Sequence, residues 1–208
     1  MGEILAIIAV SIVASMAGIV VMLAAELALY NFAQSNSFTI EPGCYHLWAA
    51  LRPHVLRGEL RGHDITVTYS LGEYFGYAQN RGISSIACSV PPHPMLHLRV
   101  ASWRLFEKRS RRTGCREFDN WVTVNGGPKA FLTSVLSDDT IVHRLKDTIS
   151  PVFSFTSTLT LTPTGPLVLR HKSVFLTAGR IRSDVELLAD IAAIIEQQVP
   201  SARAKPAA

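Results

Sequence analysis

Hydrophobic and polar positions along the chain follow three different rhythms, and each predicts a different element. The first is an unbroken apolar run from Ile4 to Ala25, in which Ser11 and Ser15 are the only strongly polar side chains. A hydrocarbon core about 30 Å thick takes ~20 apolar residues at a helical rise of 1.5 Å, and this run is long enough. It predicts an amino-terminal transmembrane helix. Glu26 to Phe32 extends that helix into the interface, where Tyr30 suits the headgroup level. Gln34 to Ser37 breaks it. Residues 1–32 therefore read as an anchor, 33–199 as a single soluble α+β domain, and 200–208 as a disordered tail.

The second rhythm has a period of two. Ile65, Val67, Tyr69 and Leu71 alternate with Thr66, Thr68 and Ser70, the pattern of a half-buried strand. Ile83 to Val90 predicts another strand, stopped by Pro91 and Pro92, and Met95 to Val100 a third. Trp121 to Val124 predicts a short strand, and Phe155 to Leu161 turns through Pro163 to Gly165 into Leu167 to Leu169 as a hairpin. Strands that follow one another across turn-forming breaks pair antiparallel.

The third rhythm is helical. Glu41 to Leu51 predicts a short helix ending before Pro53. Pro128 to Leu136 and Asp139 to Ile149 predict two more, with Ser137 or Asp138 capping the second. Ser183 is placed as the cap of a long closing helix to Val199, whose Val185, Leu188, Ala192 and Ile195 recur at steps of three and four. The resulting fold class is α+β: an anchor helix, then a largely antiparallel sheet covered by helices.

Two stretches carry a resemblance, namely Glu117-Phe118-Asp119 leading through Val122 and Val124 to Gly126, and Leu145 to Ile149. In this order of elements the chain resembles uncharacterised bacterial single-pass membrane-anchored proteins of unknown function. The likeness implies a fold and an anchor, and it implies no catalytic residue.

Charge and cysteine usage refine the topology. The formal net charge is +4, and Glu3 is the only charged side chain before the apolar run. Arg52, Arg57 and Arg61 follow it, a bias that places the amino terminus outside and the domain in the cytoplasm. Cys44, Cys88 and Cys115 are odd in number and widely spaced, which suits reduced thiols. The expected location is the bacterial cytoplasmic membrane. Within the run, Ser11, Ala14, Ser15 and Gly18 share one face, a small-residue stripe along which helices can pack in lipid and form a homo-oligomer.

The most basic stretch is Arg104 to Arg116, where Arg104, Lys108, Arg109, Arg111, Arg112 and Arg116 stand against one internal acid, Glu107. On a tethered domain each such cation near an anionic leaflet contributes about 1 kcal/mol. A plain solvated loop is the ordinary reading of such a stretch; lipid headgroups are the leading functional contact, with nucleic acid, which asks for the same cations, as the rival and an acidic protein beside it. Only Trp103 and Phe106 are interleaved, which argues against single-stranded nucleic acid.

No catalytic set is spelled out in the sequence. There is no Gly-x-Ser-x-Gly, no His-Glu-x-x-His and no phosphate-binding loop. Cys44-x-His46 and Cys88, His93 and His97 contain zinc-ligand types without the paired spacing of structural sites, so neither metal nor cofactor is expected. Asp138-Asp139 reads as a helix start, where acids are electrostatically favoured. The expected function is a non-catalytic binding or scaffolding module at a membrane. The alternative is a membrane-associated enzyme whose polar groups meet only in three dimensions.

Overall fold

A computed structural model describes residues 2–46, 49–71, 82–92, 96–102, 122–149, 156–163, 165–172 and 177–198. A single helix, α1 (Gly2–Asn36), is followed by β1 (Thr39–Glu41), β2 (Cys44–His46), β3 (Ala49–Arg52), β4 (His54–Leu60), β5 (His63–Leu71), β6 (Gly82–Cys88), β7 (His97–Ser102) and β8 (Val122–Gly127). Then come α2 (Lys129–Leu136), α3 (Asp139–Ile149), β9 (Thr156–Leu161), β10 (Leu167–Lys172) and α4 (Ala178–Gln198). Eight strands form one sheet in the order β1-β4-β5-β6-β10-β9-β7-β8, and every described pairing is antiparallel. The α+β class and the long closing helix are as the patterning predicts.

Period-two patterning decides which face of the sheet is covered. Two successive rows across the strands are apolar. Leu56, Val67, Ile86, Leu169, Leu159, Val100 and Val124 stand in register in one of them. The other runs from Gly58 through Ile65, Cys88, Leu167, Leu161 and Leu98 to Gly126. The four described helices pack over these rows: α4 on β5, β6 and β10, α3 on β7 and β9, α2 on β8, and the end of α1 on β1, β4 and α4. Ile181, Val185, Leu188, Ile191, Ala192 and Ile195 of α4 are buried in that core. The opposite face of the sheet carries hydroxyls and arginines.

Three segments differ from expectation. The helix expected over 41–51 is not formed by the described residues; Cys44–His46 and Ala49–Arg52 pair antiparallel as two short strands. A lone helix of eleven residues with Gly43 in its first turn is marginal in water, and backbone pairing supplies the hydrogen bonds instead. The closing helix starts five residues before Ser183. Thr177 caps it, its Oγ1 accepting from Arg180 N at 3.1 Å and its carbonyl from Ile181 N at 3.0 Å. β4 is an unforeseen strand. Arg61 and Gly62, both at positive φ (54° and 82°), make the two-residue turn that joins it to β5. By contrast Asp138 caps α3 as expected, its Oδ1 accepting from Thr140 N at 2.8 Å and Ile141 N at 3.3 Å.

The break expected after residue 32 is not where the first helix ends. α1 is continuous to Asn36, and Ala25, Ala28, Leu29, Phe32 and Ala33 are buried in the domain core, not spread at an interface. Ser37, at φ 58°, ends the helix, and Phe38 folds back so that its ring packs edge-on to Phe32. Glu26 stands beside His54 at the start of β4, whereas Phe38 lies against Gly58 near its end. The helix therefore runs in the direction of β4, and its first two dozen residues lead away past the β4 start. Among the described residues no helix is long and apolar enough to cross a membrane. Between 6 and 25 the described side chains of α1 are those of residues 6–13, 16, 20 and 23–25.

Candidate functional site

Core-facing positions should be apolar, and one row across the sheet is not. His54, Tyr69, Ser84, His171 and Ser157 occupy successive strands β4, β5, β6, β10 and β9 in register, next to the apolar row that begins with Leu56. All five are buried, from 0% exposure at Ser157 to 4% at Ser84. This polar row lies toward the end of the sheet marked by the strand ends Leu71, Gly82, Ser102, Val122, Thr156 and Lys172. That is also the end from which α1 leads away.

At one end of the row, Ser157 Oγ is 2.7 Å from His171 Nδ1, and His171 Nε2 is 3.0 Å from Asp184 Oδ2. The second contact is a close approach off the line of a hydrogen bond. The carboxylate favours a proton on Nε2, which leaves Nδ1 to accept from the Ser157 hydroxyl. Asp184 is buried on α4 and has further partners: Thr148 Oγ1 donates to Oδ1 at 3.2 Å and Arg180 Nε to Oδ2 at 3.2 Å. Arg180 also donates from Nη2 to the carbonyl of Thr148 at 2.7 Å. Sheet, α3 and α4 are thus pinned together at one carboxylate.

Serine, histidine and aspartate in this order are the parts of a nucleophile, its base and an orienting acid. Acyl transfer also needs a place for the reacting carbonyl about 3 Å from the hydroxyl. Ser157 is fully buried in a strand paired on both sides. The cation of Arg180 additionally competes for Asp184. The trio as it stands is a sealed structural contact.

At the other end of the row, Gly43 N donates to His54 Nδ1 at 3.0 Å, and His54 Nε2 faces Glu26 Oε1 at 3.4 Å. A second charged cluster lies above α4. Asp190 receives Arg61 on one carboxylate oxygen and Arg144 Nη1 on the other at 2.6 Å. Arg144 Nη2 donates to the carbonyl of Ser183 at 3.0 Å. Ser183 is therefore an acceptor within the helix and not its cap. Near the opposite end of the sheet, His63 Nδ1 is 3.7 Å from Glu196 Oε1. There burial, then the charges of Glu196 and Asp64, push the Cys88 thiol from 9.0 up to about 12.

The residues singled out from sequence fare unevenly. Ser11 Oγ donates back to the carbonyl of Ile7 at 2.8 Å and stands on the exposed part of α1. Ala14, Ser15 and Gly18 lie on the same helix, with side chains outside the described residues. The basic set Arg104, Lys108, Arg109, Arg111, Arg112 and Arg116 lies wholly outside them, as do His93, Cys115, Glu117 to Asp119 and the tail from 201. Only the strand ends that flank the basic stretch, Ser102 and Val122, are placed. Cys88 faces the core while His97 is exposed, so the two share no site.

Sequence reading overlooked the polar row, although parity marks it. In Leu167, Leu169, His171 and in Ser157, Leu159, Leu161 the polar residue sits on the apolar beat. No family model matches the chain, and neither a curated protein nor a solved structure matches it.

Proposed function

We propose that the chain is a membrane-anchored, non-catalytic binding or scaffolding module whose anchor is the projecting part of α1. One observation carries the reading. Ile7, Ile8, Val10, Ile12 and Val13 are 50–70% exposed and point to every side of the helix, and Met16, Val20 and Leu23 continue the pattern. A helix apolar all round belongs in a protein core or in lipid, and among the described residues no part of the domain covers this one. About 23 residues ahead of the buried part reach ~35 Å, enough for a hydrocarbon core of about 30 Å. The sequence from Ile4 to Ala25 holds no charge.

In this arrangement the polar-row end of the sheet faces the bilayer. Ser102 and Val122, the strand ends that bracket the basic stretch, lie at that same end, which favours anionic headgroups as its contact. The domain lies on the cytoplasmic side of a bacterial inner membrane, following the arginines after the helix. Self-association runs through the Ser11, Ala14, Ser15 and Gly18 face.

Membrane fractionation tests the anchor. The full chain should stay with the bilayer through an alkaline carbonate wash, and a variant carrying Ile12→Lys, Met16→Lys and Val20→Lys should be released. Each central lysine costs roughly 2.5–3.5 kcal/mol in a membrane helix. A wild-type chain that washes into the soluble fraction ends the proposal.

A further inference from the structure

We infer that the open face of the sheet binds a small diphosphate-bearing ligand between Arg99 on β7 and Arg170 on β10. Five neighbouring strands, β6, β10, β9, β7 and β8, contain no aspartate or glutamate. Arg99 pairs in register with Thr160, and Arg170 with Thr158, so both arginines flank β9 on the face away from the helices. Both are exposed, and neither takes part in an ion pair among the described residues.

Between them lies a floor of small side chains. Thr158 and Thr160 are half-buried, as are Ser85 and Val168 on the adjoining strands. Two strand spacings and two residues of rise separate the arginines by about 12 Å at Cα. That is a span two long guanidinium stems can close over one bound group. Guanidinium forks match phosphate oxygens two at a time, and the Thr158 and Ser85 hydroxyls add donors from below, while Thr160 Oγ1 donates to the carbonyl of Val168 at 3.4 Å. Ala101 and Thr123, each 7% exposed, end the floor on the β7–β8 side.

Charge complementarity selects an anion, and the spacing of the two arginines across β9 sets its span. Among the described residues this face carries no Phe, Tyr or Trp, and His97, exposed two residues before Arg99, is its one ring, so a run of stacked nucleic-acid bases has no platform there. It carries no large exposed apolar group on which a protein partner could anchor. A compact ligand with two adjacent phosphates fits both the pair of cations and the shallow hydroxyl bed.

Calorimetric titration of the full chain in uncharged detergent micelles with sodium pyrophosphate, at low ionic strength, tests the site. Saturable one-to-one binding is expected. Arg99→Gln and Arg170→Gln should each weaken it about tenfold. Arg57→Gln, on the same face but already bonded to Glu41 Oε1 at 3.1 Å, should change it by less than about twofold. No saturable binding overturns the inference, and so do equal losses in all three variants. Silence toward pyrophosphate, with Arg99-dependent binding to anionic vesicles, overturns it in favour of a lipid contact. The projecting helix plays no part in this site, so failure here leaves the anchor standing and failure of the anchor leaves this site standing.

Discussion

Glu26 Oε1 on the helix and His54 Nε2 on the sheet stand 3.4 Å apart, and the opposite ring nitrogen of His54 accepts from Gly43 N at 3.0 Å. One imidazole thus joins three pieces of chain: the last buried turns of α1, the loop after β1, and the first residue of β4. His54 is 3% exposed, while the Glu26 side chain is 27% exposed.

From that asymmetry the two partners should be unequal. His54→Ala leaves the Gly43 N–H without its acceptor and opens a cavity, and should cost about 2–3 kcal/mol in unfolding free energy. Glu26→Gln keeps the shape and loses only a partly screened charge, and should cost under about 1 kcal/mol. Denaturant melts of both variants in the same micelle decide it. Equal losses would show that the charge, and not the buried imidazole, holds the junction.

Gly58 leaves no room for a side chain. A Cβ there would meet the Phe38 ring at 2.5, 2.6 and 2.8 Å. Gly58→Ala should therefore destabilise by about 1–3 kcal/mol, and pairing it with Phe38→Leu should recover part of the loss. Gly126 is the useful contrast, because a Cβ there meets the backbone carbonyl of His97 at 2.5 Å. No side-chain substitution can relieve that clash. A double variant no more stable than Gly58→Ala alone would show that the ring is not what fills the space.

The contacts of Asp184 predict a large effect without any chemistry. Asp184→Asn removes the charge that Arg180 and His171 face in a buried setting and should cost about 3–5 kcal/mol. Ser157 of the intact protein should not react with a fluorophosphonate probe, since its hydroxyl is buried. Stoichiometric labelling of Ser157, lost in His171→Ala, would turn the sealed contact into an active site.

Cys88 makes a prediction about alkaline pH. Its thiol is held up to about 12 in the folded protein, from 9.0. Below the unfolded value both states hold the proton, and the residue adds no pH dependence. As pH rises above about 9 the unfolded thiol ionises while the folded one does not, so stability falls with pH toward the folded value. The stability advantage of wild type over Cys88→Ala should shrink by about 1 kcal/mol between pH 9 and 10. A flat difference would show that the thiol ionises equally in both states. Cys88 should also stay unlabelled by maleimide in the native protein, so topology mapping should use a cysteine introduced at an exposed site such as Thr162.

How much of this was legible in the chain varies with the kind of signal. Alternation marked β5 and β9 because each has one wet face, and the capping carboxylate of Asp138 marked the start of α3. β4 escaped because Arg57, Gly58 and Glu59 interrupt its apolar beat, and Gly58 is needed only to admit a ring from elsewhere in the chain. The closing helix was entered late because Gly179 in its first turn weakens a local reading, although Thr177 caps it. Residues 41–51 misled because their pairing depends on tertiary contact. The polar row is the deepest case. His54, Tyr69, Ser84, His171 and Ser157 come from five strands whose order in the sheet is not their order in the chain, so only the register brings them side by side.

A helix that is half core and half projection leaves no swivel between them. The buried turns from Ala25 to Ala33 are locked by the packing around Leu29 and Phe32, so the outer turns are rotationally fixed to the sheet. With the outer part seated in a bilayer, the domain would stand at one height and one azimuth above the surface. Any partner of the open face would then have to approach along a set bearing, and a quarter-turn of the helix in the lipid would swing that face by the same quarter-turn.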